Sequence, residues 1–85
     1  MKTIYKFPIR HTIEVPKNAR LLKIGIQKEE SVAWYELDTT ETEYRRDEYY
    51  VIGTGLHLED YGDISYIDTL FQGEYVWHVY KQNYE

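Results

Sequence analysis

Short apolar runs recur along the chain at intervals of about ten residues, with turn residues between them. The runs are rich in β-branched and aromatic residues, and helical periodicity is hard to find. This pattern predicts an all-β protein, an antiparallel meander of about seven strands over residues 3–7, 12–15, 20–27, 32–37, 45–52, 64–71 and 74–81. Two small sheets packed face to face, or a small closed barrel, would both bury these strands.

Turn chemistry supports several of the predicted connections. A turn is expected at residues 16–19, where Pro16 presets its own φ, and a polar hairpin connection at residues 28–31. Gln72-Gly73 is typical of a tight hairpin. Within residues 20–27, alternation predicts one strand face made of Leu22, Ile24 and Ile26.

The length of the chain, 85 residues, indicates a single domain over residues 1–85. A chain this short buries only about 60% of the surface that its unfolded form exposes, so its own core gives limited stability. It has no cysteine, which excludes a disulfide framework and a thiolate zinc site. EF-hand spacing is also absent, and no cofactor or metal is predicted. Association into a homo-oligomer is the remaining natural route to more buried surface.

The formal net charge of −5 argues against a protein that follows a long nucleic acid, because such binding relies on clustered lysines and arginines. A small ligand with one or two phosphates stays compatible with this charge. No apolar run reaches signal-peptide length or the ~18 residues of a membrane span. We therefore expect a soluble intracellular protein without a membrane partner.

Gly53-Thr54-Gly55 follows directly after a predicted strand. Glycine permits a positive φ and close approach to the backbone, and successive N–H groups with a hydroxyl can point at a phosphate. The segment lacks both the longer dinucleotide-binding glycine pattern and the lysine of a P-loop. A plain β-turn or bulge and a phosphate cradle are therefore both open interpretations.

Two histidines, His57 and His78, have the chemistry of an acid and base pair for phosphodiester cleavage. The usual two-histidine phosphoesterase signature repeats His-x-Thr or His-x-Ser. Here the corresponding positions read His57-Leu58-Glu59 and His78-Val79-Tyr80. We therefore expect no enzyme activity, and either histidine is instead a candidate ligand contact.

Aromatic and basic side chains add further candidates. Trp34 and Tyr35 are adjacent on one strand and so point to opposite faces, which leaves one of them outside the core, where it can stack on a base. Arg46 belongs to the only adjacent arginine pair, whose forked donors match phosphate geometry. Lys6 lies in the most basic segment of the chain and is a modest anion-attracting feature.

Several short motifs together resemble a family of small phage and prophage proteins. They are Met1–Pro8, Ile13–Pro16, Trp34, Val51–Gly55 with His57, Tyr66–Thr69 and Val76–Tyr80, and they run nearly end to end. That family is similar to viral sponge proteins that sequester the cyclic dinucleotide immune signals of bacterial CBASS-type anti-phage systems. In those relatives the histidine follows the second glycine directly, whereas Leu56 intervenes here.

The resemblance implies a phage-encoded, non-catalytic sponge that acts as a homo-oligomer in the host bacterial cytoplasm. Its ligand would be a cyclic dinucleotide, such as one of the cyclic GMP-AMP type. The implied contacts are phosphate or ribose for Gly53, Thr54 and Gly55, phosphates for Lys6 and Arg46, and bases for Trp34, Tyr35, His57 or His78.

A second hypothesis is a protein-binding inhibitor of a host factor, of the anti-CRISPR or host-takeover type. It rests on the acidic charge and on the segment Thr39 to Tyr44, which could imitate a nucleic-acid surface or seat on a basic protein.

Overall fold

The computed structural model describes residues 1–83 and confirms the all-β prediction. It contains one short 3₁₀ helix, Leu58–Tyr61, inside the segment expected to be a loop. Each predicted strand is present, with ends that differ from the prediction by at most two residues. The strands are β1 (Lys2–Pro8), β2 (Thr12–Pro16), β3 (Arg20–Gln27), β4 (Glu30–Asp38), β5 (Tyr44–Gly53), β6 (Ile64–Gln72) and β7 (Tyr75–Gln82).

The strands form two antiparallel sheets, ordered β1-β4-β3 and β2-β5-β7-β6, so the fold is a sandwich and not a barrel. The consecutive hairpins are β3–β4 and β6–β7. Both β5 and β6 pair antiparallel with β7, which lies between them, and they therefore run parallel to each other. Residues 54–63, here called the crossover segment, must then return the chain along the sheet from the end of β5 to the start of β6.

Apolar side chains from both sheets fill the space between them. Val15, Ala33 and Val79 are fully buried there, and Ile24 and Leu37 are nearly so. Ile52 is also buried, although its pairing with His78 places it on the outer face of the four-stranded sheet. It lines a cavity together with Leu56 and Leu58, so the crossover segment covers it. Burial of Ile52 therefore holds the crossover segment against the sheet.

The predicted face of β3 is wrong at one position. The pairing of β3 with β4 shifts between Leu21 and Lys23, which leaves Leu22 as the extra residue of a β-bulge. Leu21 packs against the core in place of Leu22, which is 42% exposed. A bulge reverses the alternation on one side of itself, and a regular period-two pattern in the sequence does not reveal it.

Candidate functional site

The crossover segment begins with a tight turn. The Leu56 N–H donates to the Gly53 carbonyl at 3.3 Å, and Gly55 has φ +97°. A Cβ atom at Gly55 would meet no other atom within 4 Å, so there is space for a side chain. Glycine is favoured here because of the positive φ. The glycine segment is thus a turn that sends the chain back over the outer face of the sheet. Its tip residue, Thr54, points its hydroxyl at β7.

His78 lies on the outer face of β7 and binds threonines through both ring nitrogens. Its Nε2 is 2.9 Å from Thr54 Oγ1, and its Nδ1 is 3.1 Å from Thr69 Oγ1. Thr69 Oγ1 is in turn 2.6 Å from the Tyr66 hydroxyl. A neutral imidazole has one donor and one acceptor, and each hydroxyl can serve in either role. The four side chains therefore form one continuous hydrogen-bonded chain drawn from the crossover segment, β6 and β7.

A cavity of about 210 Å³ opens beside this chain, here called the His78 cleft. Leu56 and Leu58 form apolar walls, and they remain 57% and 40% exposed. Tyr80 lies next to His78 on the same face and meets the Tyr66 ring edge-on at 5.6 Å. The lining of the His78 cleft combines apolar and polar groups and has no lysine or arginine. It consists of Ile52, Gly53, Thr54, Gly55, Leu56, Leu58, His78 and Tyr80.

Four of the residues predicted from the sequence meet in the His78 cleft: Gly53, Thr54, Gly55 and His78. The sequence reasoning missed Tyr66, Thr69 and Tyr80 as members of the site. Alternation along β7 could have found Tyr80, since it shares a face with His78. The other two depend on the register of β6 against β7, which shifts between Tyr66 and Asp68 and is not visible in the sequence.

Tyr35 is the clearest correction among the predicted site residues. It is fully buried, and its hydroxyl donates to Asp47 and contacts the Tyr49 hydroxyl, so it cannot reach a ligand. Its neighbour Trp34 faces outward, as one member of the pair was expected to do. Trp34 and Lys6 pair across β4 and β1 on the outer face of the three-stranded sheet, on the opposite side of the molecule from the cleft.

The remaining two predicted residues also lie outside the cleft. His57 is exposed at the start of the 3₁₀ helix, with its Nδ1 3.8 Å from Glu59 Oε1, and it does not line the cavity. Arg46 pairs with Glu14 near the start of β5, whereas Gly53 ends that strand. Within one chain, the predicted phosphate contacts from Lys6 and Arg46 are therefore separated from the glycine turn.

Residues 1–83 contain no group of three or more histidine, aspartate or glutamate side chains placed to hold a metal ion. Among these described residues, no helix is long and apolar enough to cross a bilayer. Fold and site together define a small antiparallel β-sandwich protein with a surface cleft of hydroxyls and one imidazole. The chain belongs to the family described as Domain of unknown function (DUF7352), whose model matches residues 1–85. No curated protein and no solved structure matches the chain.

Proposed function

We propose that this chain is a phage-encoded, non-catalytic binding protein that captures a cyclic dinucleotide at the His78 cleft in the host cytoplasm. The observation that supports this best is the hydrogen-bonded chain Thr54–His78–Thr69–Tyr66 beside an open cavity. The hydroxyls of Thr54 and Tyr80 line the cavity and can each donate or accept, which suits the mixed polar edge of a nucleobase and the hydroxyls of a ribose.

The walls of the cleft fit the other parts of such a ligand. Leu56, Leu58 and the Tyr80 ring offer apolar surface for the faces of a base. At the rim, the turn holds the exposed residues Thr54 and Gly55, whose N–H groups donate to no backbone carbonyl among the turn and loop hydrogen bonds of residues 1–83. Free N–H groups on a turn are suitable donors to a phosphate oxygen.

The small volume of the cleft and the lack of positive charge in its lining support a homo-oligomer. The cleft, at about 210 Å³, is smaller than the roughly 300–1,000 Å³ of sites that enclose a ligand, so one chain would leave a cyclic dinucleotide largely uncovered. Its lining also has no lysine or arginine to offset two phosphates. A second copy would supply both needs if it brought Arg46 to the mouth of the cleft.

The geometry favours binding over turnover. General acid and base catalysis of phosphodiester cleavage needs two groups that exchange protons with the substrate. Here both nitrogens of His78 already contact threonine hydroxyls, and His57 lies outside the cleft. An intact ligand that is held and later released is therefore the expected outcome.

A panel of cyclic di- and trinucleotides incubated with the protein tests this proposal. We expect one member to bind at micromolar concentration and to be recovered intact after heating. His78→Phe should abolish binding, and His57→Gln, a control at an exposed histidine outside the cleft, should not change it. Absence of binding to every member would refute the proposal, and recovery of a linearised product would make the protein an enzyme.

The protein-binding hypothesis has weaker support. Two acids of the segment Thr39 to Tyr44 already have partners: Glu43 lies 3.7 Å from Lys17 Nζ, and Glu41 accepts from Asn18 at 3.4 Å. The Lys17 pair offsets one of these two negative charges, which leaves less free negative charge to imitate a nucleic acid. A pull-down from host lysate that retains a stoichiometric partner, and loses it in Glu41→Gln/Glu43→Gln, would favour this hypothesis instead.

A further inference from the structure

The outer face of the three-stranded sheet has a tryptophan between two lysines. In the pairing of β4 with its neighbours, Trp34 lies opposite Lys6 of β1 on one side and opposite Lys23 of β3 on the other. Directly opposed residues share a face of the sheet, with strands about 4.8 Å apart. The indole is therefore flanked by an amine-bearing side chain on each side.

The Trp34 indole packs on the backbone of Gly25 in β3. A Cβ atom at Gly25 would lie 3.4 Å from Cζ3 and 3.8 Å from Cη2 of Trp34, so the six-membered ring of the indole lies over the bare glycine backbone. The Lys6 side chain extends across the central strand and reaches Gln27 Oε1 at 2.5 Å. Trp34 is partly buried by these neighbours, and part of its surface faces solvent.

The charges on this face differ from those of the chain as a whole. Its three acids are each paired with a cation other than a lysine: Glu30 with Arg10 at 3.4 Å, Glu36 with Arg20 at 3.3 Å, and Asp38 with the N-terminal amine at 2.9 Å. By contrast, Lys2, Lys6 and Lys23 form no ion pair within residues 1–83. The face is thus locally positive on a protein of net charge −5.

We infer that Trp34, Lys6 and Lys23 form a second binding site, for a nucleotide whose base stacks on the indole while its phosphate lies between the two ammonium groups. Base stacking on an aromatic ring that keeps a solvent-facing surface, combined with nearby cations, is how sheet surfaces hold unpaired nucleotides. The ligand is one nucleotide, either free or as a unit of a short single strand. The overall acidity of the chain opposes a longer contact.

This site lies on the opposite face from the His78 cleft and does not depend on the function proposed for that cleft. The two are also separable by mutation. His78→Phe should leave binding at Trp34 unchanged, and Trp34→Ala should leave the cleft intact.

Tryptophan fluorescence tests the inference directly, because the chain has two tryptophans, Trp34 and Trp77. In a Trp77→Phe variant the emission comes from Trp34 alone. The probes are AMP, ribose 5-phosphate and an eight-residue oligothymidylate. We expect AMP and the oligonucleotide to quench Trp34, and ribose 5-phosphate, which has no base, to leave its emission unchanged. If Trp77→Phe folds poorly, the same binding is measured calorimetrically on the native chain and on Trp34→Ala.

The lysines are tested in the same assay. Lys6→Gln/Lys23→Gln should weaken AMP binding at least about fivefold and reduce the salt dependence of oligonucleotide binding, whose slope is roughly −0.7 per phosphate contacted. Lys17→Gln, at an exposed lysine that pairs with Glu43, is the matched control. It should change neither the affinity for AMP nor the salt dependence of oligonucleotide binding. Trp34→Ala removes the fluorescent reporter, so its affinity is measured by calorimetry, and the loss should be about fivefold or more.

A comparison of oligonucleotide and AMP affinities distinguishes a single strand from a free nucleotide as the ligand. Tighter binding of the oligonucleotide than of AMP supports a single strand, and equal binding per site supports a free nucleotide. Absence of quenching by both at millimolar concentration would overturn the inference. So would quenching that is equal in the lysine variant and in its control, because stacking without charge recognition is not nucleotide binding.

Discussion

The Tyr35 hydroxyl donates a 2.8 Å hydrogen bond to the Asp47 carboxylate, and the two residues lie on opposite sheets of the sandwich. Asp47 is 2% exposed. Arg45 Nε lies 3.0 Å from it and Lys81 Nζ 3.4 Å. A buried carboxylate is costly unless it is both paired and hydrogen-bonded, and this one is both. The contact therefore joins the two layers at one defined position of one sheet relative to the other.

Replacement of Asp47 should strongly destabilise the fold. Asp47→Ala removes the acceptor of the Tyr35 hydroxyl and leaves Arg45 and Lys81 without their partner. The expected loss is about 3 kcal/mol in the free energy of unfolding, at the lower end for a broken buried pair because both cations are about one-third exposed. Urea unfolding measures it, with Asp60→Ala at an exposed acid as the control. A loss equal to that of the control would contradict the structural role of Asp47.

Stability should fall in acid, with Asp47 as one cause. Burial alone would raise the pKa of Asp47, but hydrogen bonds from Arg45 and Tyr35 and the charge of Lys81 outweigh it and lower that pKa. Since the folded-state pKa is below the unfolded value of about 3.9, this stabilisation is present above about pH 4 and is lost as pH falls through the folded pKa.

The N-terminal amine, through its hydrogen bond, and Thr40 also lower the pKa of Asp38, which acts in the same direction. Unfolding midpoints across about pH 2 to 6 should therefore show a smaller acid decline in Asp47→Asn than in the native chain. An identical decline in both proteins would assign the acid sensitivity to other groups.

Gly53 and Gly55, in the turn that begins the crossover segment, should respond differently to substitution by alanine. At Gly55, φ +97° is strained for any L side chain, so Gly55→Ala should cost about 1 kcal/mol although the space is open. At Gly53 an added Cβ would make an ordinary 3.8 Å contact with Trp77 Cζ3, so Gly53→Ala should be tolerated. Thermal unfolding of both variants measures the difference, and equal losses would show that the turn conformation differs from this one.

The β3–β4 hairpin offers a stabilising change. Its two turn residues, Lys28 and Glu29, both have positive φ, at 51° and 65°, which is the backbone of a type I′ turn. Asparagine and glycine are the preferred residues there, so Lys28→Asn/Glu29→Gly should raise the free energy of unfolding by about 0.5–1 kcal/mol. Lys28→Ala, which keeps the strain, is the control and should give no gain in urea unfolding.

Local pattern predicted the strands well, because the apolar runs and the turn residues act within a few neighbouring residues. The Gly53-Thr54-Gly55 turn and the outward position of one of Trp34 and Tyr35 came from the same local rules. The buried member of the pair, Tyr35, is the one whose hydroxyl meets Asp47, twelve residues away on the other sheet, and that meeting is not visible in a local pattern. The meeting of Thr54 with His78 also requires the strand order β5-β7-β6, which no short-range pattern encodes. The part of the site that depends on long-range strand order and register could therefore not be predicted from the sequence.

Thr69 Oγ1 contacts both His78 Nδ1 and the Tyr66 hydroxyl. Thr69→Val keeps the shape of the side chain but leaves Nδ1 without its partner, so the imidazole loses one of the two contacts that fix its orientation. Under the proposed function, affinity for the cyclic dinucleotide should fall about tenfold, the value of one hydrogen bond of about 1.4 kcal/mol. Thr12→Val, at a half-buried threonine on β2, is the control. If calorimetry shows unchanged affinity in Thr69→Val while His78→Phe abolishes binding, His78 acts without positioning by Thr69.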